Sequence, residues 1–377
     1  MNRTIARRLA VAAAAAAATA GLVASSLTTA SNASETGSAA SASATLQANV
    51  KKALQRPTSI NITTPLGAAI PTGKTIDWLQ CGSPACVTLG NDLTQASAAV
   101  GWKLNIIQAG LTAESVKAAW DQAVQQKPSA VWASGFSRAL FNPELASLKA
   151  DGIPVLDMTT ADPPGTGLTA VFDYGPDYYA SGKRLADYVL THSGGKPIHA
   201  LSISASAFAN LLYVQSGFQK EIKANCSSCT NSTLLVPATD IGTDLPTVVA
   251  TYLQAHPSIN WVYIGYADMM DGVPAALASS GISKSVKFVT IDSSPTTATY
   301  IKNNEYLVAT DGFPGPEIMW RGVDFLMRYF DHKSTAVDTA HNVPVWLVTS
   351  SDIPSTTDYF PLVARYQIQY KKLWGLG

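Results

Sequence analysis

Four aspartates, Asp157, Asp173, Asp292 and Asp311, stand at the ends of short apolar runs, where a strand would leave a carboxylate free to act. There an aspartate can work as an acid or base, cap the next helix, or accept hydrogen bonds from a ligand's hydroxyls. Catalysis needs an activating partner as well, and none stands at the required spacing. The five histidines, His192, His199, His256, His332 and His341, are single and lie near expected helix or strand ends. That pattern fits solvated or capping imidazoles rather than metal ligands or bases. Gly135-Phe-Ser137 begins like a nucleophile elbow but has Ala139 where the second glycine belongs. Gly67 to Thr75 ends in Gly-Lys-Thr, yet its glycine spacing is one residue too long for a P-loop and a strand follows it. Gly165-Thr-Gly-Leu-Thr-Ala170 has the letters of a dinucleotide fingerprint but leads into a strand at Leu168 to Phe172, with no helix N-terminus to receive a pyrophosphate. No catalytic residue, metal ligand or cofactor is assigned on these grounds.

The cysteines fall in two close pairs, Cys81 with Cys86 and Cys226 with Cys229. In an exported chain such pairs tend to close as disulfides. A zinc centre would require the two distant pairs to converge, and a redox-active Cys-Ser-Ser-Cys would favour a helix N-terminus over the helix end and loop that flank it.

These groups must be positioned by a regular alternation of elements. Strands are expected at Thr75 to Gln80, Lys103 to Gln108, Ala130 to Ala133 and Pro154 to Met158. Between them come helices at Leu89 to Val100, at Thr112 to Gln126 with Thr112 as cap, and from an Asn142 cap to Ala150. A second series has helices at Pro176 to Thr191, Asn210 to Ala224, Asp244 to Ala255 and Asp268 to Ser280. Its strands are His199 to Ser204, Thr233 to Pro237, Trp261 to Gly265 and Val286 to Ile291. A strand at Leu307 to Asp311, a helix at Pro316 to Phe330 and a strand at Val343 to Val348 follow. Short apolar strands alternating with longer helices imply right-handed crossovers and mainly parallel sheets. The fold class is therefore α/β, with two doubly wound parallel-sheet lobes.

Length and composition agree with two domains. The chain has 377 residues, with 26 Lys plus Arg against 26 Asp plus Glu, which leaves no charge surplus for nucleic acid. Arg3, Arg7 and Arg8 precede a small-apolar run from Leu9 to Ala24 and a Ser/Ala/Thr tract, the order of a secretory leader over residues 1–33. Residues 34–73 are expected to hold low-complexity sequence, a short helix at Leu46 to Arg56 and a Pro/Thr/Gly-rich connector. No cysteine lies where a lipid anchor would attach, so the product is expected to be secreted or extracytoplasmic.

Several strings, in order, resemble the ribose-binding-like family of periplasmic solute-binding proteins, the type 1 fold. They are Thr75-Ile-Asp-Trp-Leu-Gln, Pro84-Ala-Cys-Val-Thr-Leu, Gly152-Ile-Pro-Val-Leu, Ser216-Gly-Phe-Gln-Lys, Ala255-His-Pro-Ser-Ile-Asn-Trp-Val, Val289-Thr-Ile-Asp-Ser-Ser-Pro and Leu307-Val-Ala-Thr. The resemblance runs from Lys74 to Ile353. It implies lobes over 74–173 plus 313–340 and 174–312 plus 341–353, a C-terminal extension over 354–377, and a three-segment hinge near Phe172 to Gly175, Gly312 to Gly315 and Asp338 to Asn342. It further implies a monomeric binder that delivers a sugar-like ligand to an ABC permease, without enzymatic chemistry. A secreted nucleosidase or hydrolase, or a sensor feeding a receptor kinase, are the competing functions.

Carried across residue by residue, the resemblance places Asp292 at the family's hydroxyl-accepting aspartate and Asp173 near the first crossing. Ala85 and Cys86 stand where sugar binders stack aromatics, and Thr159 with Thr160 where an Asp-Arg pair is usual. Leu212 replaces a pocket arginine, Tyr266 a polar residue and Phe313 a glutamine. Phe136, Tyr266 and Phe313 imply a more aromatic pocket. The loop after the first strand, holding Ser83 between Cys81 and Cys86, lies at the cleft in this family, where a disulfide would stiffen a ligand-contacting turn.

Overall fold

A computed structural model describes residues 43–340 and 343–376; the leader, most of the low-complexity tract, His341 and Asn342 lie outside the described residues. From Thr45 onward the chain forms one compact unit. Residues 43–53 are helical (α1).

The first sheet is built from β1 (Thr75–Cys81), α2 (Pro84–Ala99), β2 (Lys103–Gly110), α3 (Ala113–Gln126), β3 (Ala130–Ser134), α4 (Asn142–Ala150), β4 (Val155–Thr160) and β5 (Ala170–Tyr174). Its order is β2-β1-β3-β4-β5, parallel throughout. The second lobe contributes α5 (Gly175–His192), β6 (His199–Ala205), α6 (Ala209–Asn225), β7 (Thr230–Val236), α7 (Leu245–Ala255), β8 (Trp261–Ile264), α8 (Val273–Ser279), β9 (Lys287–Ile291), α9 (Pro295–Lys302) and β10 (Leu307–Gly312). After α10 (Gly315–Phe330) and α11 (Ala336–Thr339), β11 (Trp346–Thr349) completes the sheet β11-β10-β9-β8-β6-β7, parallel except at β10–β11, and α12 (Tyr366–Leu373) ends the fold. Each sheet reverses its strand order once beside its first strand, which opens a crevice at the carboxyl ends of the strands.

Burial explains the strand choice. β3 and β8 are buried at every position, as expected of strands covered on both faces by helices. The helices close tightly over the sheets because small residues let them. A Cβ on Gly322 of α10 would overlap the Trp132 ring, and one on Gly217 of α6 would overlap the Tyr179 carbonyl of α5. Thr112 and Ser115 form the expected capping box of α3.

Several element boundaries need correction. α2 begins at Pro84, five residues before Leu89, because proline is readily accommodated in a first turn. Asn142 is the first helical residue of α4, and Phe141 occupies the cap. The single helix expected at Asp268 to Ser280 is broken into a 3-10 turn at Ala267–Met270 and α8, since Gly272 between them adopts a left-handed φ of 77°. α9, capped by a Ser294–Thr297 box, and α12 were not anticipated.

The chain passes between the lobes after Tyr174, between Gly312 and Gly315, and between Thr339 and Trp346. The segments outside this frame are folded onto it. Trp346 Nε1 donates to the Leu54 carbonyl at 3.2 Å, and Arg56 lies over the Trp346 ring. Arg321 and Arg328 of α10 donate to the carbonyls of Ile60 and Thr64. α12 stacks Trp374 on Trp320 with ring centroids 5.2 Å apart, and Val363 N–H donates to the buried Glu317 carboxyl at 2.6 Å.

Candidate functional site

The crevice between the sheets carries a cavity lined from both lobes, including Ser83, Thr159, Tyr178, Phe208, Asn210, Tyr266, Asp292 and Phe313. Every one of these follows or ends a strand, or begins the helix after it, so the parallel topology gathers them. The walls are mostly apolar, with few convergent polar groups, as in small-molecule sites generally. Towards the crossings lies a second, more polar space lined by Asp173, Asp177, Arg184, Asp292, Asp311 and Phe313 among others.

Asp292 borders both spaces and also a third beside Tyr359. It follows β9 with φ 66°, and Thr159 and Asp173 share the left-handed conformation at φ 53° and 51°. Non-glycine residues held there cost about 1 kcal/mol or more each, and such residues concentrate at ligand sites. The turn at Asp292 is fixed by the neighbouring strand: the Thr310 hydroxyl donates to the Asp292 carbonyl, and Asp292 N–H donates to the Asp311 carbonyl at 3.0 Å.

The electrostatics favour a neutral carboxyl at Asp292. Burial raises the Asp292 pKa well above the carboxylate range, and Asp173, Asp268 and Asp311 raise it further. Asp173 is pushed up to about 7, first by burial and then by Asp177. Asp268, at about 6, is raised by burial and by Asp271, while the Ala85 N–H and the Ser83 hydroxyl from the opposite lobe draw it down. Asn210 points a buried Oδ1 at no partner, and Tyr178 interacts with both Asp173 and Asn210. An orphan acceptor beside a desolvated acid is the arrangement a ligand hydroxyl would complete.

Among the sequence-designated residues, Asp292, Asp173, Tyr266, Phe313, Thr159 and Ser83 border these spaces. Three do not. Thr160 is buried and turns its hydroxyl to the Phe136 carbonyl. Phe136 sits behind the wall, 5.8 Å from Phe208, and Phe208 supplies the aromatic surface instead. Leu211, one residue earlier, lines the cavity in place of Leu212 because α6 presents that position inward. Asp157 and Asp311 are also accounted for: Asp157 is fully buried and accepts from Met158 N–H, and Asp311 pairs with Arg184. Tyr178, Phe208 and Asn210 were missed, since they open helices whose first residues carry no motif.

Cys81 is bonded to Cys86 at the cleft edge, and Cys226 to Cys229 after α6. This replaces the zinc alternative with two short covalent loops. Of the described histidines, His192 and His256 bond to the carbonyls of Tyr188 and Tyr252, and His199 to Thr230, all outside the cleft.

Two lobes with parallel sheets around a cleft of this kind define a two-lobed binding protein. Residues 72–334 match the family described as periplasmic binding protein domain, and the chain belongs to that family. Solved structures with the same fold include GanP, a glucose-galactose binding protein from Geobacillus stearothermophilus, at 16% identity and TM-score 0.66, covering 75% of this chain and 100% of that one. An ABC transporter solute binding protein from Agrobacterium vitis with bound allitol aligns at 18% identity and TM-score 0.64 over 74% and 97%. A carbohydrate transporter from Acidothermus cellulolyticus in complex with myo-inositol aligns at 19% identity and TM-score 0.62 over 74% and 95%. No curated protein matches the chain in sequence. No helix among the described residues is long and apolar enough to cross a membrane.

Proposed function

We propose that this protein is an extracytoplasmic receptor of an ABC importer that captures a small polyhydroxylated solute, a sugar or cyclic polyol, between its lobes. The observation that carries the reading is Asp292. It is a desolvated carboxyl at the meeting point of the cleft spaces, and within an aromatic enclosure it lines the same cavity as Asn210, whose buried Oδ1 has no partner among the described residues. Hydroxyls of a ring would satisfy both groups, while Phe208, Tyr266 and Phe313 would cover its apolar faces. The lobes 74–173 plus 313–340 and 174–312 plus 341–353 would close about the three crossings, and the closed form would dock on a permease as a monomer. On this reading the ligand leaves the cleft unaltered.

The relatives with allitol and myo-inositol support the polyol class. The test is a thermal-shift screen over sugars, polyols, nucleosides and small aromatic acids. A true ligand at a hundred times its dissociation constant should add about 2.7 kcal/mol of stability. Turnover of any compound by the purified protein, or stabilisation by aromatic acids alone, would overturn the reading.

A further inference from the structure

We propose that Tyr359, delivered to the cleft by the C-terminal segment beyond the family-matched residues, is a specificity-determining wall that limits how long a ligand the site accepts. The inference rests on the solute-binding reading and deepens it.

Beyond Asp292 lies a neighbouring space lined by Ala85, Leu89, Asp292, Phe313, Tyr359 and Phe360 among others. Four of these, Ala85, Leu89, Asp292 and Phe313, also line the main cavity, so the two spaces adjoin across those side chains. A ligand substituent that left the main cavity past Asp292 would enter here. What stops it on the far side is the tail. Residue 359 lies outside the family match, which ends at residue 334.

The tail is held firmly enough to act as a wall. Phe360 and Leu362 are buried with Trp346, Val348 and Ala298 of the second lobe. Val363 N–H then donates to Glu317, and Tyr366 donates to Asp92 on the first lobe. Between these anchors Tyr359 is half-buried, with its side chain interacting with Thr88 of α2 and within the field of Asp268, Asp271 and Asp292. The ring therefore bridges from a segment seated on one lobe to a helix of the other, across the end of the cleft. An aromatic side chain suits this place because it is stiff and amphipathic, so it excludes volume at little entropic cost.

The test measures affinities of the wild type, Tyr359→Ala and Tyr359→Phe by calorimetry. The probes are D-glucose, D-galactose and myo-inositol, with the methyl and phenyl β-glycosides of the two hexoses. Wild type should bind whichever free hexose it prefers at least about tenfold more tightly than that hexose's phenyl glycoside, a discrimination within the range steric pockets reach. Tyr359→Ala should bring the two within about threefold, and Tyr359→Phe, which keeps the ring, should restore the exclusion. Tyr359→Leu, which keeps an apolar side chain there, should fall between them and serves if the alanine variant melts early. An unchanged ratio in the small variants of a protein that binds hexose would overturn the wall alone. Failure of every probe to bind wild type and variants would overturn this inference, while the wider thermal-shift screen decides the solute reading.

Discussion

Arg184 on α5 grips Asp311 on β10 with a two-pronged contact, Nε to Oδ1 at 3.0 Å and Nη2 to Oδ2 at 2.7 Å, at the floor of the polar end of the cleft. The Asp311 side chain is only 2% exposed. The pair occupies both carboxyl oxygens, so it separates a structural aspartate from Asp173 and Asp292, which have no arginine fork among the described residues. Removing the arginine would leave a buried carboxyl without its partner. Arg184→Ala should lower stability by about 3 kcal/mol in urea unfolding, and Arg184→Lys should recover only part of it, since the fork geometry is lost.

Asp292→Asn should fold, because asparagine tolerates the left-handed backbone held at residue 292. It should bind the ligand found by the thermal-shift screen roughly 3- to 10-fold more weakly, the loss expected when one neutral hydrogen bond is disturbed. Calorimetric titration checks this. Binding at wild-type strength would remove Asp292 from the site.

The Cys81–Cys86 bridge closes a short loop whose residues line the cavity. Changing both cysteines to serine should cost about 2 kcal/mol by the chain-entropy estimate for so short a loop. It should also weaken ligand binding, because the turn carrying Ser83 would then have to be ordered by the ligand. Melting curves and titrations of the double variant separate the two effects.

Stability should fall as pH rises from about 4 to about 7. The folded-state pKa values of Asp173 and Glu317 are pushed up to about 7, and those of Asp92, Asp187 and Asp268 to about 6, in each case first by burial. In that window the folded chain binds more protons than the unfolded one, so deprotonation costs the folded state more. Thermal midpoints should be higher at pH 5 than at pH 7.5. Ligand should flatten the difference, as its hydroxyls offer hydrogen bonds to the ionised carboxylates of the cleft.

The sequence by itself determined the alternation of strands and helices, the parallel sheets and the two-lobed class. Those follow from local periodicity and short apolar runs, which report burial on both faces of a strand. It also marked the two cysteine pairs, since residues three and five apart in an exported chain have few other partners. Helices α9 and α12 escaped because their apolar faces are short and mixed with polar residues, and tertiary packing holds them rather than a long periodic stripe: Ile301 of α9 is buried in the core, and Tyr370 of α12 packs on Trp320 of α10. Only the tertiary structure decided which groups meet in the cleft. Asp311 and Asp292 look alike in sequence, each ending an apolar strand, yet Arg184, 127 residues before Asp311, claims one and leaves the other free. Leu211 displaces Leu212, and Tyr359 arrives from a tail with no motif, because a side chain's role here depends on which lobe faces it across the gap. No local pattern encodes that separation; the long-range packing of two sheets and their straps does.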